Sequence, residues 1–195
     1  MIFSELLASA SVTAQALAEH LDALPDAERL TQTMALTSAH QAKLFDLVEG
    51  ARKLTLDDLA PATTQPLHGV RHEGRNSLLA FTRFAKVFAV PDDASKVATE
   101  RWGFNDSGFT VNTFVGPGYF VVTPDGGEVL VDYTQYPPRP HVGGPRILSN
   151  SARLSRFVFN NTKDRVRAVS KHVSIGRAWR GAKRLDNWFV LCRTA

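Results

Sequence analysis

Apolar residues recur at three- and four-residue steps through the first fifty positions, the spacing that gathers them on one face of a helix. Leu6, Leu7 and Ala10, then Leu17, Leu21 and Leu24, then Leu44, Leu47 and Val48 form three such stripes. Pro25 ends the second stripe, because its fixed φ and missing N–H suit the first turn of a helix and not its interior. Near Thr37 a second break precedes Ser38-x-x-Gln41, a capping box that satisfies two backbone N–H groups left open at a helix start. Three short helices are predicted over residues 3–51. Thr55-x-x-Asp58 repeats the capping signal ahead of Pro61, which predicts one further helical turn and then a loop over residues 61–66.

Beyond that loop Leu78, Phe81, Ala85 and Phe88 fit another helical face, with Thr82, Arg83 and Lys86 turned to water and Asn76 or Ser77 as cap. A helix at about 76–89 is predicted. The period then drops to two. Residues 119–123 and 128–133 flank Pro124-Asp125-Gly126-Gly127, a turn sequence that predicts a hairpin. Residues 185–193 set Trp188, Val190 and Cys192 against Phe189 and Leu191, so the strand there is apolar on both faces and central. Residues 165–180 fit a helical step as well. Their β-branched Val166, Val169, Val173 and Ile175 favour a strand, turned back onto 185–193 by Arg180-Gly181-Ala182-Lys183. With 153–159 added, the expected class is α+β: short N-terminal helices, then a curved antiparallel sheet of about five strands with the 76–89 helix packed on it. The division is a helical segment over 1–60 and a sheet domain over 61–195, packed as one unit.

Composition narrows the class without naming a function. The 195 residues are 44% hydrophobic and 22% charged, ordinary for a globular chain. Cys192 is the single cysteine, which excludes an intrachain disulfide and an all-cysteine metal site. Residues 1–12 lack the basic start of a signal peptide, and no segment has the length and apolarity of a membrane span, so a cytoplasmic protein without a membrane partner is expected. The net charge of +4 conceals opposite parts. Residues 1–136 hold 10 Lys and Arg against 17 Asp and Glu, and residues 137–195 hold 13 against 2. Either the basic part meets an anionic partner or acidic elements of the same chain lie beside it.

Candidate chemistry gathers in the basic part. Drawn as a strand, residues 165–180 place Ala168, Ser170, His172, Ser174, Gly176 and Ala178 on one face, small side chains around one imidazole. The plain reading is close packing against another element; the sharper one is a pocket floor with His172 as catalytic acid or base. Arg177, Arg180, Lys183 and Arg184 surround the last hairpin with Trp179 and Trp188 interleaved, a mixture that suits phosphate or carboxylate groups, or a solvated hairpin tip over a tryptophan core. Residues 134–150 form a long connection rich in proline, with Arg139 and His141, suited to a wrap over the sheet or to a lid. His68 and His72 stand four apart, but Gly69 between them weakens a helix and no third ligand is near, so no metal site is predicted. Cys192 and His172 fall on opposite faces and make no nucleophile–base pair. No motif identifies a cofactor. The expectation is a protein that binds an anionic small molecule, with or without catalysis, between His172 and a ligand set of Arg177, Trp179, Arg180, Lys183, Arg139 and His141. The alternative is an interaction module whose basic hairpin grips nucleic acid or an acidic protein.

Overall fold

Eight antiparallel strands close on themselves in the computed structural model, which describes residues 2–78, 82–108, 116–149 and 161–194. They are β1 (Val70–Asn76), β2 (Arg83–Ala89), β3 (Arg101–Asp106), β4 (Phe120–Asp125), β5 (Glu128–Asp132), β6 (Thr162–Ala168), β7 (Val173–Arg180) and β8 (Lys183–Arg193). Each pairs with its neighbours in sequence, and β1 closes the circle on β8, with His72 opposite Arg193 and Asn76 opposite Phe189. A closed barrel leaves no unpaired row of backbone groups. The architecture is therefore an eight-stranded barrel with a few short helices, and the expected α+β sheet of about five strands is wrong.

Two misread segments account for much of the difference. Within the helix expected at 76–89, residues 83–89 form the strand β2, in which Phe84, Lys86 and Phe88 point into the barrel and Ala85, Val87 and Ala89 point out. Both faces are covered, so its apolar positions happen to match a helical step. Residues 165–180 are extended, but as two strands, β6 and β7, joined by a turn at 169–172. β1 gave no apolar signal and β3 only the short alternation of Trp102 and Phe104, because His72, Gly74, Arg101, Gly103 and Asn105 are their inward residues. The strand expected at 153–159 lies outside the described residues.

The interior is filled by interdigitation. A Cβ on Gly176 would come within 2.2 Å of the Phe189 ring, and one on Gly103 within 2.2 Å of Phe120. These positions are empty so that a ring on the neighbouring strand can lie across them. Phe88, Phe120, Val122, Val129, Val131, Val166, Phe189 and Leu191 complete the buried interior.

Four helices pack outside: α1 (Phe3–Ala8), α2 (Ala14–Ala23), α3 (Asp26–Met34) and α4 (Ser38–Leu47). Their Leu17, Leu21, Leu44 and Phe45 meet Val173, Ile175, Val190 and Cys192 on the outer faces of β7 and β8. That makes β8 apolar on both sides, as its alternation required. Pro25 is the N-cap of α3, and the cap of α4 is Thr37 with His40 in place of Ser38 with Gln41: the Thr37 hydroxyl accepts from His40 N at 3.3 Å, and Thr37 N donates to His40 Nδ1 at 3.4 Å. The single turn α5 (Leu56–Leu59) has the expected box, with Asp58 N donating to the Thr55 hydroxyl and Thr55 N donating to Asp58 Oδ2.

That turn closes one end of the barrel. Leu54, Leu56, Leu59 and Ala60 join the interior cluster, His72 Nε2 donates to Leu59 O at 2.8 Å, and Arg101 Nε donates to Ala60 O at 2.8 Å. β1, β3, β5 and β7 start at this capped end and finish at the far end.

The charge asymmetry is answered largely within the barrel. Arg165 pairs with Asp125 and Glu128, Arg167 with Glu128 and Glu49, Lys163 with Asp132, and Arg139 with Asp92. In each pair the cation comes from the basic part and the carboxylate from the acidic part. Strands β4 and β5 supply more of these carboxylates than the helices do.

Candidate functional site

Lys86 projects from the middle of β2 into the barrel and is 1% exposed. Three polar side chains meet its ammonium. Lys86 Nζ donates to Asn105 Oδ1 at 3.0 Å, contacts Asp164 Oδ2 at 3.3 Å and donates to the Tyr133 hydroxyl. The Tyr133 hydroxyl in turn donates to Asp164 Oδ2 at 3.1 Å. Asn105 Nδ2 is anchored on Gly118 O at 3.3 Å. The strand register brings them together: Lys86 lies opposite Asn105 on β3, and Asp164 opposite Val131 on β5, two positions before Tyr133. Asn105, Tyr133 and Asp164 all sit near strand ends at the far end, so the cluster occupies the half of the interior away from α5.

Aromatic rings surround it. Lys86 Nζ is 4.8 Å from the Phe189 ring centroid, 4.9 Å from Phe120, 5.0 Å from Tyr133 and 5.8 Å from Phe84. Ring faces attract a cation but do not replace water, so burial dominates the ionisation of the group. It pushes the Lys86 ammonium below the ordinary lysine range, with Asp164 opposing. It also pushes the Asp164 carboxyl up, with Lys86 opposing, and drives the Tyr133 phenol well above its usual value. Both members of the pair are shifted toward their neutral forms, and a lysine, a carboxyl group and a phenol share one hydrogen-bonded group.

The expected site residues are not assembled into one place. His172 lies in the turn between β6 and β7 at the capped end, its backbone N donating to the Ser170 hydroxyl at 3.4 Å. The small-residue face exists only in part: Ala168, Ser174, Gly176 and Ala178 face the interior, opposite Val166, Leu191 and Phe189 on neighbouring strands. The Phe189 ring fills the hollow that the glycine leaves. Beside His172 and His72 the remaining cavity is about 10 Å³, room for one water at most. Burial first, then the charges of Arg29 and Arg193, lower the pKa of His172. The pocket floor around His172 is thus corrected to a packed barrel wall ending in a turn.

Arg180 and Lys183 form the tip of the β7–β8 hairpin at the far end, both exposed. Arg177 donates to Leu185 O and Asp186 at 2.7 Å each and stacks over Trp188 at 4.6 Å. Trp179 packs against Phe45, with Arg165 at 6.0 Å from its ring. Both tryptophan faces are therefore engaged inside the protein. Arg139 and His141 lie elsewhere, on the loop after β5, which runs down the outside of β4, β3 and β2. Arg139 reaches Asp92, and Val142 N bonds Leu67 O. His141 Nε2 donates to Trp102 O at 3.3 Å and its ring packs on Phe104 and Tyr119. The loop is a wrap over the barrel wall, and it does not close over the basic hairpin.

Lys86, Asn105, Tyr133 and Asp164 were not among the expected residues. A signal was present: in Phe84-Ala85-Lys86-Val87-Phe88, a strand sets the lysine between two inward aromatics, whereas a helix turns it to water. Among the described residues no cluster of three or more His, Cys, Asp and Glu side chains could hold a metal ion, and no helix is long and apolar enough to cross a membrane.

The fold and the cluster define a class: a closed antiparallel barrel, capped by a helical turn, with an ionisable group buried among aromatic rings. No family of known proteins, no curated protein and no solved structure matches the chain, so the reading of function rests on the molecule itself.

Proposed function

We propose that the protein binds an anionic small molecule inside the barrel, admitted at the far end and held beside Lys86. The single observation that carries this reading is a buried lysine with three polar partners, set among the rings of Phe84, Phe120, Tyr133 and Phe189. Burying such a group costs free energy unless it is paired, and an apolar filling of the same volume is often at least as stable. An eight-stranded barrel has an interior just wide enough to be filled by side chains or to hold one small ligand. Ligand entry requires one of the rings around Lys86 to swing aside. Asn105 and Tyr133 then supply further hydrogen bonds, and Asp164, protonated from solvent as the ligand enters, no longer carries the charge that would repel an anion.

The rim at the far end supports the choice of an anion. Arg83, Lys183 and Arg184 are exposed there and have no ion pair among the described residues, and Arg180 is exposed beside them. Clustered cations at an entrance steer anions inward at low ionic strength. Under this reading Arg180 and Lys183 keep the ligand role expected of them as rim residues, Arg177 and Trp179 support the hairpin, and His172, Arg139 and His141 take no part.

A thermal-shift screen of carboxylated and phosphorylated metabolites tests the proposal. A ligand at one hundred times its Kd stabilises the folded state by about 2.7 kcal/mol, a readily measured rise in Tm. Replacing Arg83, Lys183 and Arg184 by Ala should weaken that binding several-fold at low salt and little at high salt, with stability unchanged. A gel shift against nucleic acid at two salt concentrations covers the alternative. Log-linear, steeply salt-dependent binding to a phosphate chain, with no small anion raising Tm, would replace the pocket reading by the interaction module.

A further inference from the structure

Seven lysines are present, and Lys86 is the one that is buried; the other six are exposed or half-buried. Its amine lies within hydrogen-bonding distance of a phenol, a carboxyl group and an amide oxygen, and four aromatic rings border it, three of them on β2, β4 and β8. This is the set of groups that imine chemistry needs. A nucleophilic amine must be uncharged, an acid must protonate the departing hydroxyl, and water must be kept from the product. A structural ion pair needs only the carboxylate.

We infer that Lys86 forms a Schiff base with an aldehyde or ketone group of the anionic ligand, with Asp164 and Tyr133 passing the protons. This rests on the reading of the interior as a ligand site. The Lys86 Nζ lone pair forms a bond to the carbonyl carbon, and the carbonyl π pair becomes a hydroxyl with a proton from Asp164. The attacking nitrogen returns one proton to Asp164 through Tyr133, giving a neutral carbinolamine. Asp164 then protonates the hydroxyl, which leaves as water while the nitrogen lone pair forms the C=N bond. Loss of the remaining N–H proton to Asp164 completes the balance: amine plus carbonyl gives imine plus water, with no oxidant or reductant. Burial supports the scheme, since it favours the free amine and the protonated carboxyl together. Asn105 Oδ1, accepting one N–H, fixes the direction of the lone pair.

The test uses the intact chain with two anionic aldehydes, glyoxylate and 4-carboxybenzaldehyde, trapped at neutral pH with cyanoborohydride and read by intact mass and peptide mapping. The expected result is one reduced adduct, at Lys86 and in excess over every other lysine, since a lowered pKa raises the free-amine fraction and the interior holds the aldehyde beside it. Adducts spread over the exposed lysines with Lys86 unmodified would overturn the inference. Asp164→Asn should slow trapping by about a hundredfold, the size of a lost general acid, and shift its pH profile. An unchanged rate and profile in a folded Asp164→Asn protein argues against the relay. Lys86→Arg keeps the charge and must abolish the adduct while leaving a melting transition. The isosteres glycolate and 4-methylbenzoate, which lack the carbonyl, separate the two readings. If they raise Tm while the aldehydes leave Lys86 untouched, the Schiff base falls and anion binding stands; if neither acts, both fall.

Discussion

At the scale of single residues, the interior is decided by where side chains are missing. Gly176 and Gly103 leave room for Phe189 and Phe120, and those two rings border the Lys86 ammonium. Gly176→Ala should therefore do more than alter strand propensity. It forces the Phe189 ring off its position, an overpacking that costs about 1–3 kcal/mol. Urea denaturation measures this directly, and a loss below about half a kilocalorie would mean that the ring has somewhere else to go. The same substitution should alter the surroundings of Lys86 and so change aldehyde trapping more than an equally destabilising change on the outer wall.

The decisive element is the smallest. α5 is four residues long, far too short to be stable alone, and is held by its capping box and by Leu56 and Leu59 in the barrel mouth. Arg101 ties it further, donating to Ala60 O and pairing with Asp57 at 2.6 Å. Thr55→Ala should cost about 1 kcal/mol through the lost cap, and Leu59→Ala about 2–5 kcal/mol through the vacated space. Hydrogen exchange offers a second readout: loss of Leu59 should speed exchange at the capped ends of β1 and β3 before the far end is affected. Uniform acceleration would show that the cap is not a separate unit.

For the whole molecule, acid should loosen the barrel well above the pH at which carboxylates protonate. Burial lowers the pKa of His72 from 6.5 to about 4, and that of His141 likewise to about 4. Each folded-state pKa is depressed, so below pH 6.5 the unfolded chain binds protons that the folded chain refuses. The stability contributed is fully present above pH 6.5 and is lost as pH falls toward 4. By linkage this amounts to roughly 2 kcal/mol per histidine at pH 5. Denaturant midpoints at pH 7 and pH 5 should differ accordingly, and His72→Gln should remove part of the difference. A midpoint that does not move between these pH values contradicts the burial of both rings as neutral imidazoles.

Local signals along the chain were legible where their cause was local. Thr55-x-x-Asp58 capped a turn, Gly126 and Gly127 took φ of 62° and 103° between β4 and β5, and residues 185–193 formed a strand apolar on both faces. The helix boundary near Thr37 shifted by one residue. The site was not legible, because His172, Arg139 and the β7–β8 cations were grouped by position along the chain, and the fold separates them onto two ends and two walls. Lys86 carried a readable alternation with Phe84 and Phe88, hidden by the equal fit of its neighbours to a helix.

What the amino-acid order determined by itself were the short helices, the turns and the strands whose two faces differ from their neighbours by a period of two, since propensity, capping and alternation act over a few residues. Closure of β1 on β8, and the meeting of Lys86 with Asn105, Tyr133 and Asp164, were decided only by tertiary structure. A strand such as β1 is polar taken alone, and it becomes a strand because the interior needs small residues such as Gly74 opposite large rings such as Phe84. That requirement exists only once all eight are paired.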